Sequence, residues 1–174
     1  MIWHISTRFD PRPRALADRH YSRQKIGSSQ FVPPGRCIVL YASRGNGAAY
    51  WVTSWPFAEY VRHAWAGAWI CSAFRNEGCG VASEMIRDAI SATKAFFGPP
   101  PAIGMITFID EAKVQPTMVR GRPVWGWTYM KAGFQPCGKT KGGLIAFQLL
   151  PEAMPEAKPA IGTMLGDLLS ECTA

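Results

Sequence analysis

A strand, a glycine turn, a long helix and a second strand succeed one another between residues 68 and 109, and no other feature constrains the fold as tightly. Ala68-Trp69-Ile70-Cys71-Ser72-Ala73-Phe74 is short, apolar and bounded by Gly67, the pattern of a buried strand. Val81, Met85, Ile86, Ala89, Ile90, Thr93, Phe96 and Phe97 then recur at helical spacing. Gly98-Pro99-Pro100-Pro101 stops that helix, because proline lacks the N–H the helix needs and its ring blocks the preceding turn. Ile103 to Ile109 reads as a second buried strand.

Between the first strand and the helix stands Arg75-Asn76-Glu77-Gly78-Cys79-Gly80. An Arg-x-x-Gly-x-Gly turn that opens a helix is an anion cradle. Its glycines let backbone N–H groups approach a phosphate closely, and the helix N-terminus adds partial positive charge. Cys79 lies inside the turn and is expected to be the cysteine that reacts with alkylating agents.

The rest of the chain supplies further elements. Residues 2–8 alternate as an opening strand, and Pro11-Arg12-Pro13-Arg14 leads into a helix predicted over Arg14 to Tyr21. Gly27 to Gly35 is a loop by its Gly, Ser and Pro content. Cys37 to Ala42 and Ala49 to Ser54 are strands joined as a hairpin through Arg44-Gly45-Asn46-Gly47. Residues 55–67 mix helical and loop character. An irregular basic insert is expected over residues 111–126, a short helix over Trp127 to Ala132, and a last strand over Leu144 to Leu150. Strands paired first by a hairpin and then by a crossover helix predict an α+β fold, with a mixed, mostly antiparallel sheet flanked by helices in a single domain. The domain is expected to span residues 1–150. Residues 151–174 form a Pro/Ala-rich tail, in which Ile161 to Leu169 can make a short helix. Trp3, Trp51 and Trp69 read as core, whereas Trp55, Trp65, Trp125 and Trp127 lie near loops and are candidates for a substrate cleft.

Composition narrows the class. A chain of 174 residues with 48% hydrophobic and 18% charged residues is long and apolar enough for a substantial core and is not disordered. No run of eighteen apolar residues occurs, and the N-terminus lacks the pattern of a secretory signal, so a cytoplasmic protein without a membrane span is expected. The five cysteines are odd in number and lack a C-x-x-C pair, which argues against a disulfide framework or a cysteine zinc site. The formal charge of +7 is uneven: residues 1–36 carry net +5 and residues 113–141 net +6. Two basic segments flanking a near-neutral middle suggest a polyanionic partner. Arg12, Arg14, Arg19 and Arg23 on one side, with Arg120, Arg122, Lys139 and Lys141 on the other, are the candidate nucleic-acid contacts.

A second motif, Tyr129-Met130-Lys131-Ala132-Gly133-Phe134, lies some fifty residues after the glycine turn. Together, the Arg-x-x-Gly-x-Gly turn and this Tyr-x-x-x-Gly-Phe segment resemble the GNAT acyltransferase superfamily over roughly residues 36–150. The resemblance implies a coenzyme A cradle at Arg75, Gly78, Cys79, Gly80 and Val81, and a thiolate-binding hydroxyl at Tyr129. The donor would be acetyl-CoA or another phosphate-bearing acyl donor. His20-Tyr21, Asp110 after the fifth strand, Tyr129, and Ser83 early in the long helix also resemble the phage Mom DNA-modification family. That resemblance implies catalytic roles for His20, Tyr21, Asp110 and Tyr129, iron at His20, Tyr21 and Asp110, and double-stranded DNA as partner, with adenine N6 modified. Two other expectations stand beside it. One is an acetyl-CoA-dependent N-acetyltransferase acting on a small amine, tRNA or protein lysine. The other is a GNAT-fold binding protein without activity.

Overall fold

In a computed structural model, which describes residues 1–162, the chain forms one α+β domain around a seven-stranded sheet. The principal strands are β1 (His4–Ser6), β2 (Cys37–Arg44), β3 (Gly47–Ser54), β4 (Trp69–Glu77) and β5 (Met105–Ile109). They are followed by the hairpin β6 (Thr117–Val119) and β7 (Arg122–Val124), then β8 (Gln135–Lys139) and β9 (Ile145–Leu149). The helices are α1 (Pro11–Ala17), α2 (Ala82–Phe97) and α3 (Trp127–Lys131). The sheet order is β1-β2-β3-β4-β5-β9-β8. Its pairs are antiparallel except β4 with β5, which the α2 crossover makes parallel. Among the described residues no helix is long and apolar enough to cross a membrane.

The β2–β3 hairpin closes on Arg44↔Gly47 through Gly45-Asn46, with Gly45 at φ +56°, the left-handed conformation that a tight hairpin favours at its first central residue. Each face of the sheet is covered. Met85, Ile86, Ala89, Ile90 and Phe97 of α2 pack on Trp51, Trp69, Met105, Phe147 and Leu149, with Trp3 fully buried beside them. Each large side chain so buried contributes about 1.5–3 kcal/mol. On the opposite face Leu16 and Ala17 of α1 cover Val39, Tyr41, Tyr50 and Val52. Trp65 packs over Ala68, Ile106 and Ala146 on that face.

The parallel pair sets the site. β4 and β5 are registered only over Trp69↔Met105, Ile70↔Ile106 and Cys71↔Thr107. There a bulge interrupts the β3–β4 ladder: Thr53 faces Cys71 and Val52 faces Ala73, leaving Ser72 without a partner. Bulges increase local twist, and β4 continues to Glu77 away from β5. Thr107 Oγ1 donates to the Cys71 carbonyl (3.3 Å) where the ladder ends. The result is a cleft opening between two neighbouring strands.

Several elements differ from the sequence expectation. α1 begins at Pro11, not Arg14, because Asp10 caps it by accepting the Arg12 N–H (2.9 Å) and proline fits the first helical position. It ends at Ala17, so His20 and Tyr21 stand in the turns that follow it. β4 takes in Arg75, Asn76 and Glu77, which were expected in the turn. The 111–126 insert contains a hairpin, not irregular chain. Arg120 (φ +49°) and Gly121 (φ +76°) both adopt the left-handed conformation of a two-residue type I′ turn. β8 was not anticipated at all. It is an edge strand whose Pro136 and Gly138 break the usual strand pattern, with a register shift between them.

The described part of the tail lies on the body. Met154 is buried, Lys158 N–H donates to the Ser91 carbonyl (3.2 Å), and Ile161 N–H donates to the Trp3 carbonyl (2.8 Å). Of the helix expected over Ile161 to Leu169, residues 163–169 lie outside the described residues.

α3 is held by Gly126, left-handed at φ +70°, where an added Cβ would fall 2.3 Å from the Phe147 ring. Gly121 is also left-handed but has open space around it. Gly126→Ala is therefore expected to lower the unfolding free energy by at least about 2 kcal/mol and Gly121→Ala by about 1 kcal/mol, measured by urea denaturation.

Candidate functional site

The cleft between β4 and β5 encloses a cavity of about 340 Å³. His20 and Tyr21 line it from the turn after α1, Cys71 and Arg75 from β4, Thr107 from β5 and Tyr129 from α3. Three of the four expected catalytic side chains thus meet in one place. Tyr129 is set by its own motif: Phe134 N–H donates to the Tyr129 carbonyl (3.0 Å), and the Phe134 ring packs edge-on against the tyrosine ring at 5.4 Å. The Tyr129 hydroxyl lies 3.6 Å from Cys71 Sγ. Burial raises its pKa well above the usual phenol value, so it stays protonated and can donate a hydrogen bond.

His20 stacks on Tyr21 with ring centroids 4.6 Å apart. Its Nδ1 lies 2.8 Å from Ser22 Oγ and accepts the Ser22 N–H at 3.3 Å. Burial first and the charge of Arg75 second lower its pKa to about 4, against the opposing effect of the Phe74 carbonyl. The imidazole is neutral at pH 7, the state in which it can accept a proton. The Tyr21 hydroxyl donates to the Phe108 carbonyl (3.2 Å), tying the N-terminal turn across the cleft to the end of β5.

Asp110 performs the capping role open to a carboxylate at that position. Its Oδ1 accepts the Ala112 N–H (3.1 Å), its Oδ2 lies 3.4 Å from Lys113 Nζ, and it does not line the cavity. The trio His20, Tyr21 and Asp110 does not fit iron: the Tyr21 hydroxyl is held by the Phe108 carbonyl, and the Asp110 carboxylate is turned to Ala112 and Lys113, outside the cleft that His20 lines. Among the described residues no three His, Cys, Asp or Glu side chains gather.

The glycine turn is arranged differently from the expected cradle. Arg75 donates from Nε to Glu77 Oε1 (2.6 Å) and from its terminal nitrogen to the Arg19 carbonyl (2.7 Å). Arg19 forks onto both oxygens of the same carboxylate at 2.8 and 2.6 Å. Asn76 accepts the Cys79 N–H (2.9 Å) and donates to the Gly80 carbonyl (2.8 Å), so the turn binds itself. Gly78 packs against Gly47, whose added Cβ would meet it at 2.4 Å. What faces outward is the first turn of α2, where Val81 at the N-cap offers no side-chain cap and Ser83 is half-buried. An anion would be held there by free backbone N–H groups. Cys79 is a correction: it is 1% exposed and packs into the core, and burial raises its thiol pKa, so it is shielded from alkylation.

Other expected residues divide by what they touch. Arg12 pairs with Asp10 and Arg23 with Asp18, and Arg23 also donates to the carbonyls of Ser28 and Gln30. With Arg19 bound to Glu77, these three arginines shape the N-terminal region. Arg14 is half-buried. Lys139 pairs with Glu111 at 2.8 Å. Arg120, Arg122 and Lys141 are exposed and meet no carboxylate among the described residues. The four tryptophans expected in the cleft do not line it. Trp55 packs against Trp69 and Phe97, Trp65 against Phe108, Trp125 donates to the Val114 carbonyl, and Trp127 lies beneath Lys131. Cys71 and Thr107 were missed. Their signal was a polar or small residue inside an otherwise apolar strand run. Comparison with protein-family models, with curated proteins and with solved structures finds no match.

The Glu77 carboxyl is held down to about 2, first by the hydrogen bond from Arg19 and then by Arg75, against its partial burial. A depressed carboxylate stabilises the fold above its unfolded value of 4.5 and loses that contribution as the pH falls towards about 2. The Tm advantage of the wild type over Glu77→Gln is therefore expected to be constant above about pH 4.5 and to close below it, as read by thermal melts across pH.

Proposed function

We propose that this chain is a GNAT-like transferase, of the Mom-like kind, that modifies an exocyclic amine of a DNA base, with adenine N6 foremost. The observation that carries this reading is the meeting of His20, Tyr21 and Tyr129 in one cleft, although over a hundred residues separate the first two from the third. The succession of strand, glycine turn, uncapped helix, strand and Tyr-x-x-x-Gly-Phe around that cleft supports it. So does the exposed charge of Arg120 and Arg122 on the hairpin that follows Val114, a residue lining the cleft. The setting is cytoplasmic, that of the host if the chain is phage-encoded.

A bound donor, acetyl-CoA or another phosphate-bearing acyl donor, supplies an activated carbon. The first turn of α2 holds its phosphate. Neutral His20 takes the proton that the attacking nitrogen sheds, worth typically 10²–10⁴-fold in rate. Tyr129 Oη hydrogen-bonds the departing atom as the bond to the donor breaks. Holding both partners between β4 and β5 supplies the larger share by proximity. Tyr21 keeps the His20 turn in place.

Two measurements test this. Nucleosides from plasmid DNA of expressing cells are expected to include a mass-shifted deoxyadenosine that disappears with His20→Ala, read by mass spectrometry. Unmodified DNA from wild-type cells overturns the proposal. For binding, Arg120→Ala and Arg122→Ala are each expected to reduce the slope of log affinity against log salt by about 1. Arg12→Ala, whose guanidinium is already paired, should leave the slope unchanged.

A further inference from the structure

A second and larger cavity, of about 510 Å³, lies on the α1 face of the sheet between residues 22–34 and strands β3 and β4. His20, Ser72 and Ala73 line both this cavity and the cleft, so the two share a wall. Its volume falls within the roughly 300–1,000 Å³ of small-molecule sites. Phe31 and His20 each meet the Tyr50 ring edge-on at 6.3 Å, giving the cavity an aromatic lining. Tyr50 is 1% exposed, and its hydroxyl finds no hydrogen-bond partner among the described residues. A hydroxyl at the cavity wall can donate to or accept from a bound ligand.

The charge of the lining discriminates between acceptors. No carboxylate lines the cavity; Arg23 is already paired with Asp18 beside it, and Lys25 meets no carboxylate among the described residues. A protonated alkyl amine, such as a lysine side chain, would find repulsion there and no counter-charge. A neutral aromatic amine attached to phosphates finds rings to pack on, neutral groups at Ser22, Gln24 and Gln30, and the Lys25 ammonium for its backbone.

We propose that this cavity receives the acceptor, a nucleobase turned out of the duplex, with its ring packed beside Phe31 and Tyr50 and its exocyclic amine at the wall formed by His20 and Ser72. Donor and acceptor then approach from opposite faces of β4. The inference rests on the DNA-base transferase reading given above.

The test uses the full chain and two DNA duplexes that differ only in one mispaired adenine. Mispairing lowers the cost of extrusion, so the wild type is expected to bind the mispaired duplex about tenfold more tightly. Phe31→Ala and Tyr50→Phe are expected to lose this preference while holding the paired duplex as the wild type does. Tyr50→Phe removes only the hydroxyl and serves if Phe31→Ala does not fold, as judged by its melt. A wild-type preference that survives in both folded variants, or a wild type without preference, overturns the base cavity. In either case a modified nucleoside in cellular DNA leaves the transferase reading standing. Wild-type protein that neither binds nor modifies DNA overturns both.

Discussion

The candidate site depends on the failure of one ladder. β4 and β5 begin as an ordinary parallel pair, and after Cys71↔Thr107 their backbones no longer hydrogen-bond to each other. Backbone groups stranded in a protein interior need substitutes, and here a side chain supplies one: Thr107 Oγ1 serves the Cys71 carbonyl. The wedge beyond is filled by Tyr129 and Cys71 from within and closed by the turn that carries His20 and Tyr21. Remove the divergence and these side chains have no common space.

The turn after α1 is not stiff in itself, and it is anchored at both sides of the wedge. On the β4 side, Glu77 gathers Arg19 and Arg75, and Arg75 also grips the Arg19 carbonyl. On the β5 side, the Tyr21 hydroxyl reaches the Phe108 carbonyl. His20 sits between these anchors, with its imidazole kept neutral by burial and by the neighbouring guanidinium. Arg75 therefore acts on the site through its charge and its grip on the turn, a different role from the phosphate contact that its position in the motif suggested.

The legible parts of the fold were those with long, apolar, periodic signals. β4, α2 and β5 follow directly from residues 68–109, and the β2–β3 hairpin from Gly45-Asn46 between two apolar runs. β8 was illegible because an edge strand carrying Pro136 and Gly138 has neither alternation nor burial to betray it. The β6–β7 hairpin was hidden because its turn uses Arg120 in a conformation usually left to glycine or asparagine. Within the site, His20, Tyr21 and Tyr129 could be named from short motifs. What each one touches could not, since Phe108 reaches Tyr21 and Cys71 reaches Tyr129 only through tertiary contacts. Cys79 shows the converse, a residue placed in a turn by sequence that the turn folds inward.

The bulge at Ser72 has an effect on the parity of β4. Side chains along a strand alternate between faces, so Trp69, Cys71, residue 73 and residue 75 would share the α2 side of an unbroken strand. With Ser72 inserted, Ala73 packs on the α1 side and Phe74 returns to the α2 side. The same offset carries Arg75 to the α1 side, where Arg19 and His20 lie. Setting Ser72 aside as a bulge thus decides which half of the molecule the guanidinium serves. The same residues paired without the bulge would keep the sheet order and present Arg75 to the helix.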